Sequence, residues 1–461
     1  MAIHFTKSLG IAFLLLILTG CAVGPHYKAP TPPTVTYHSA DPGLVSSAPI
    51  NAECDDPVLD TLVVQTLAAN NTIRIARARL GQSRAIYDER KLDRYPVVPV
   101  DASYDYSKQQ IPGFSDQRVT VNTFQTGFDA FWELDIFGRV SHNVAAGRAD
   151  TQAFAADLRD VQISTVAELA RNYFELRGAQ WRLAVAERSL GNQRETLRLT
   201  QLRRDAGVGE EQDVASAAAR VAATEATIPS LQYEASRATY RVSVLTGVRP
   251  GELKADLTPR TYPAIARALP IGDPGELLRR RPDVRAAERR LAEATEFQGV
   301  AVAGLFPKVS VSGFVGFLAG RGSLFFMPES AAWSVSPGIS WSAFDLGRAR
   351  ARVRGSKAST DEAVAFYEQT VLGALEETEN SLANYRAQQS RLVKLNDQAR
   401  ESKRAADIAR LRYREGVIDF LSLLDAERTQ LQAEDGVAEA ERDVYVAVIT
   451  LYKALGGPLH Q

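Results

Sequence analysis

The sequence predicts a mainly α-helical chain built as two tandem repeats, each pairing long coiled-coil helices with two strands of the kind found in membrane β-barrels. Three observations predict it. The same landmark residues return at a fixed offset. Two very long stretches run without proline. Segments that alternate apolar and small polar residues stand directly before those stretches. The chain has 461 residues, 45% hydrophobic and 24% charged, with a net charge of -1. That is ordinary for a folded protein with room for one large domain or two to three smaller ones. The balanced charge gives no sign of a nucleic-acid partner.

The first residues read as an export signal. Lys7 precedes an apolar stretch from Leu9 to Leu18, long enough for a signal-peptide core and too short to span a bilayer. The stretch ends in Leu18-Thr19-Gly20-Cys21, which looks like a bacterial lipobox. On that reading residues 1–20 are removed and Cys21 carries lipid. The alternative is an ordinary signal with a chance cysteine. Ala22 follows, and resemblance to sorted lipoproteins implies the outer membrane, because retention in the inner membrane usually uses Asp there. Residues 21–55, rich in Pro, Ser and Thr over much of their length, form the anchor and an extended tether. Cys54, the other cysteine, is expected to be a small buried residue.

The repeats come next. Trp132, Gly138, Arg139, Gly207 and Gly247 return 209 positions later as Trp341, Gly347, Arg348, Gly416 and Gly456. Tyr95-Pro96 returns as Phe306-Pro307, 211 positions later, so a small insertion separates the halves. Two repeats of roughly 200 residues follow, assigned to 56–249 and 276–461, with 250–275 as a linker. Each half is expected to read helix, two strands, long helix, tight turn, long helix.

In the first half, Asp56 to Arg94 has helical spacing of Leu59, Leu62, Val63 and Leu67. In the second, Pro282 and Asp283 open a helix that runs to about Leu305. Val98 to Tyr106, Phe124 to Trp132 and Val335 to Trp341 alternate as strands. Val309 to Leu318 is apolar on both faces and gives the weakest strand pattern. Such alternation suits a barrel strand and equally a half-buried strand of a soluble sheet.

From Val140 to Ala206 there is no proline, and Leu169, Leu176, Leu183, Leu190 and Leu197 recur every seven residues. At 1.5 Å per residue the stretch would extend roughly 100 Å, with a heptad seam against a neighbouring helix. A return helix is expected from Gln212 to Leu245, kinked or broken at Pro229. The second half repeats the plan over Ala349 to Glu415 and Asp419 to Leu455. The reversals carry Gly207-Val208-Gly209 and Gly416-Val417, where glycine supplies the freedom a helix reversal needs.

Four strands cannot close a barrel, and open edges are not tolerated in lipid. Three copies would supply twelve strands under cyclic symmetry. Four stretches of the chain also match a known family. They are Cys21-Ala22-Val23-Gly24-Pro25 through Pro30, Phe131-Trp132-Glu133-Leu134-Asp135 through Arg139, Leu277 through Glu288, and Leu411-Arg412-Tyr413 through Gly416 to Arg428. Together they resemble the TolC-like outer-membrane efflux proteins, in the lipoprotein branch of OprM and NodT type. Many relatives carry a Trp pair before Asp56-Pro57, where this chain has Asn51-Ala52-Glu53-Cys54-Asp55.

The resemblance implies a homotrimer with a 12-stranded barrel in the outer membrane, a helical α-barrel in the periplasm, and an equatorial belt from the tether, the linker and the C-terminus. It implies a periplasmic adaptor and an inner-membrane RND-type transporter as partners, adaptor contact at the two hairpin tips, and no cofactor, metal or catalytic residue. Leu421, Asp425 and Arg428 share one helix face at i, i+4 and i+7. The bland reading is a seam leucine with an exposed ion pair. Family relatives place their constriction at the matching positions, so the resemblance implies that these residues form a gate of stacked rings.

The Arg279 to Arg290 run, interleaved with Asp283 and Glu288, reads as a solvated helix face. No phosphate loop or nucleophile elbow supports an enzyme. The rivals are a soluble periplasmic adaptor or scaffold lipoprotein, a type I protein secretion duct, and a copper or silver duct. With only 2 methionines a Met-based metal relay is disfavoured. Loops Gln109 to Arg118 and Ala319 to Ala332 are expected to face the cell exterior.

Overall fold

A computed structural model describes residues 22–31, 38, 56–111, 115–260 and 274–457. The predicted signal peptide, Cys21, Cys54, most of the tether and residues 261–273 of the predicted linker lie outside the described residues. The chain divides into two compact units. One comprises Met1–Thr31, Arg79–Ala155 and Arg285–Gln369; the other comprises Pro32–Ala78, Ala156–Val284 and Thr370–Gln461.

The first unit holds one antiparallel sheet of β1 (Val100–Ile111), β2 (Ser115–Leu134), β3 (Lys308–Ala319) and β4 (Ala331–Ser340), in that spatial order. β2 pairs with β3, so the join between the sequence halves lies at the middle of the sheet. The register sorts the side chains. Tyr104 lies opposite Phe124, Val100 opposite Phe128, Phe128 opposite Val315, and Val315 opposite Trp333. One face is therefore a continuous apolar surface. The other carries Asp101, Ser103, Asp105, Gln125, Asp129, Ser310, Ser312, Ser334 and Ser336, with few large side chains among them. Because strand side chains alternate, this register separates most of the two sets, with Phe131, Phe314 and Leu318 as large apolar residues on the polar face. The weakly patterned Val309 to Leu318 is a central strand. Its serines and Gly316 take the polar face, and Val309, Val311 and Val315 take the apolar one.

Helix α1 (Pro57–Ala69) and helix α2 (Asn71–Leu92) replace the single helix expected over Asp56 to Arg94. Asn70 makes the break. Its side-chain oxygen accepts from the amides of Thr72 at 2.8 Å and Ile73 at 3.2 Å, while its Nδ2 donates to the Leu245 carbonyl at 2.9 Å. An asparagine that caps the next helix and is itself buried ends the previous one.

The long helices α3 (Arg139–Asp205) and α4 (Glu211–Leu245) are answered by α7 (Leu346–Arg414) and α8 (Phe420–Ala454). Between the pairs lie α5 (Pro274–Arg280) and α6 (Pro282–Ala303). Of the kink or break expected at Pro229, the break is absent, and α4 continues through that residue. The Thr227 hydroxyl donates to the Thr224 carbonyl and that of Ser230 to the Thr227 carbonyl, both at 2.8 Å. Serine and threonine hydroxyls next to a helical proline take up carbonyls near the missing amide.

The repeat is visible in hydrogen bonds. Trp132 Nε1 donates to the Arg94 carbonyl and Trp341 Nε1 to the Leu305 carbonyl, each at 3.0 Å. The ends of α4 and α8 close alike: Val248 N reaches Ser243 O and Gly457 N reaches Tyr452 O, each at 3.0 Å. In the second unit, Leu59, Leu62, Leu169, Tyr173, Phe174, Val242, Leu245 and Tyr445 form one core. Leu277, Leu382, Tyr385, Val444 and Leu451 form part of another. Of the heptad leucines, Leu169, Leu176 and Leu190 are buried, and Leu183 and Leu197 half-buried.

Candidate functional site

Both hairpin tips are closed by the same device. At the first, Gly207 N donates to Arg204 O and Val208 N to Arg203 O. At the second, Gly416 N donates to Tyr413 O and Val417 N to Arg412 O. This is the Schellman closure, and it needs a left-handed residue just beyond the helix. Gly207 at φ +75° and Gly416 at φ +73° supply it. Val208 and Val417 are left exposed at the two tips, and Gly209 follows half-buried.

The tips are joined to each other. Arg203 donates to the Tyr413 carbonyl at 2.9 Å, and its guanidinium lies 4.9 Å from the Tyr413 ring centroid. Tyr413 packs edge-on against Phe420, in a small core with Ala217, Ala409 and Leu423.

Helix α8 starts at that core. The Asp419 side chain caps it by accepting from Ser422 N at 2.7 Å. Phe420, Leu423, Glu427 and Gln430 are buried on one face. Arg410 reaches Glu427 at 2.9 Å and Gln430 at 2.7 Å, and Thr196 donates to Glu427 at 3.1 Å. Fixing that face turns Leu421, Asp425 and Arg428 outward on the other. Leu421 is 62% exposed. Arg428 Nη2 lies 2.6 Å from Asp425 Oδ1, and both side chains are more than half exposed. These predicted residues are thus brought together on one outward face.

A second polar surface lies on the sheet, in the other unit. Arg139 meets Glu133 through two 2.6 Å contacts, neutralising that carboxylate. Asp135 caps α3 by accepting from Val140 N at 2.8 Å and Ser141 N at 2.7 Å. Among the described residues no helix is long and apolar enough to cross a membrane. No group of three or more His, Cys, Asp or Glu among them could hold a metal ion.

A family model described as outer membrane efflux protein matches residues 62–248 and again 274–457. The chain belongs to the outer membrane efflux protein family. It is an outer-membrane efflux channel, of a family of ducts rather than enzymes. Nodulation protein T of Rhizobium leguminosarum bv. trifolii is 27% identical over 450 residues, covering 96% of each chain. Outer membrane protein OprJ of Pseudomonas aeruginosa is 29% identical over 457 residues, covering 97% of this chain and 95% of that protein. The solved outer-membrane channel OprN superposes with a TM-score of 0.91 at 50% identity, covering 95% of this chain and 99% of that one.

Several residues of this efflux channel escape sequence reasoning. Arg281 does not lie on a solvated face. It is 6% exposed, grips Asp283 at 3.0 and 2.7 Å and Glu377 at 2.7 Å, and donates to the Ala454 carbonyl at 2.7 Å. Burying an arginine requires this many partners, and the Arg-Pro-Asp order at a helix start was the available signal. Arg203 and Tyr413 gave none, because neither residue type nor spacing marks a contact between distant tips.

Proposed function

We propose that three copies of this chain close into one duct, and that the duct is the outer-membrane exit of a tripartite efflux pump for drugs or other small toxic compounds. The observation that carries the reading is the sheet. It has an unbroken apolar face, a face of small and acidic residues, and two edges, β1 and β4, with no partner among the described residues. A barrel in lipid needs the first face outside, the second inside, and every edge paired. Cyclic pairing of β4 with the next copy's β1 meets all three needs. Cys21 carries lipid in this reading, and Ala22 beside it rests against Gly138 at the start of α3. The Gly207-Val208-Gly209 and Gly416-Val417 tips receive the periplasmic adaptor, which links the duct to an inner-membrane transporter of RND type.

Leu421, Asp425 and Arg428 form the periplasmic gate. In a trimer each becomes a ring of three. A leucine ring closes a bore by dewetting, and an aspartate ring favours cations. The test replaces Leu421→Ala and Asp425→Ala together. The double variant is expected to conduct several-fold more current in planar bilayers and to admit vancomycin into cells that exclude it. Wild-type conductance and exclusion from an intact trimer would place the constriction elsewhere.

A further inference from the structure

The polar face of the sheet carries two aromatic side chains among its small residues, Phe131 and Phe314. Phe131 lies opposite Ser312 and Phe314 opposite Asp129, so the two phenylalanines are diagonal neighbours across β2 and β3. Diagonal neighbours of this kind stand about 7–8 Å apart, about twice the stacking distance of a flat ring. Phe314 leans away from Phe131. A methyl group at Gly127 would meet Phe314 Cε2 at 2.7 Å, and one at Gly316 would meet its Cζ at 2.9 Å, so the ring lies over those two glycines. Between the two phenylalanines a concavity of about 260 Å³ opens, lined by Pro99, Asp129, Phe131, Ser312, Phe314 and Ser334.

The charge in and around it has one sign. Asp129 is half-buried at the wall and makes no ion pair among the described residues. Asp101 and Asp105 stand on the same face of β1, also without ion pairs there. Glu133 is taken by Arg139, and Lys308 at the start of β3 is the one cation on this face among the described strand residues. A carboxylate between aromatic walls suits a flat cation, which gains from the ring faces as well as from the charge. Nothing on the apolar face repeats the arrangement, since its aromatic residues have no acidic neighbour on that face within the sheet's central rows.

We propose that Phe131, Phe314 and Asp129 form a subsite for flat aromatic cations on the wall of the duct. Phe131 lies three residues from the helix-side end of β2, where cargo leaving the helices would first meet the strands. The proposal rests on the reading that this face lines the bore. Three copies would ring the bore with such notches, each holding cargo briefly before release outward.

The test uses the gate-opened channel, Leu421→Ala with Asp425→Ala, in planar bilayers. Ethidium serves as the flat cation and pyrenesulfonate as a flat anion. Ethidium is expected to give discrete blockades lasting at least tenfold longer than those of pyrenesulfonate. Adding Asp129→Asn, or Phe131→Leu, which keeps an apolar side chain without a ring face, should shorten the ethidium dwell about tenfold. Equal dwell times in parent and both variants, or equal blockade by the anion, would overturn the subsite. A conducting parent that ethidium never blocks overturns the subsite and leaves the duct standing. A trimer that conducts nothing even when gate-opened overturns the duct and the subsite with it.

Discussion

His142 Nδ1 and the Glu296 carboxylate meet at 2.6 Å, with both side chains largely out of solvent. The hydrogen bond to Glu296 raises the pKa of His142 above the ordinary histidine value, against the opposing effect of burial, with Asp135 adding to the rise. His26 from the N-terminal segment faces the same ring, with centroids 6.2 Å apart. The folded state thus favours the charged imidazole. Its contribution is complete below the unfolded pKa and is lost as pH rises through the raised folded value. Val23 N donates to Phe137 O, five residues before this histidine, so the N-terminal segment at Val23 is docked beside it. Glu296→Gln is expected to weaken that region by about 1.5–3 kcal/mol at mildly acidic pH. Amide exchange at Val23 reads it. A wild-type-to-variant difference that stays constant into alkaline pH would remove His142 from the account. None of this was legible beforehand, since a lone histidine 154 positions from its partner carries no pattern. The face of Leu421, Asp425 and Arg428 was legible, because i, i+4, i+7 spacing puts side chains together on any helix.

Helices follow the same rule one level up. The limits of α3, α4, α7 and α8 fall within a few residues of those expected, since proline-free heptad stretches bounded by glycine leave little choice. The misjudged places are those where one side chain overrides the pattern. Asn70 split a helix by capping the next, and hydroxyls beside Pro229 kept one whole. β3 was faint because glycines and serines dilute its alternation, and its identity comes from the two strands beside it. At the tips, the left-handed geometry of Gly416 would cost an alanine roughly 1–2 kcal/mol. Gly416→Ala should therefore speed amide exchange at Val417 by about fivefold to thirtyfold. Unchanged exchange there would mean that the turn relaxes into a different closure.

For the whole molecule, a period of 209 residues announced the duplication, and the two tryptophans that hold the strands to the preceding helices repeat it in space. Assembly is a proposal, resting on four strands that cannot seal themselves and on the family resemblance. Cross-linking of the purified protein should give trimers, and a stable monodisperse monomer in detergent would refute the duct. Cys21→Ser should lose fatty-acid labelling and still form trimers. The unequal strand lengths have a further meaning. β3 stops at Ala319, opposite Phe124, while β1 and β2 go on pairing from Asp105 and Thr123 to Gln110 and Arg118. Past the Tyr104 and Phe124 rings the pair continues as a two-stranded ribbon that includes Lys108, Gln109, Gln110 and Arg118, with no third strand beside it among the described residues. Substitutions in this ribbon leave the β2–β3 and β3–β4 ladders untouched, since β3 ends opposite Phe124. That makes it a natural handle for engineering: a foreign peptide grafted at its end would be displayed to the surroundings while the wall beneath stays intact.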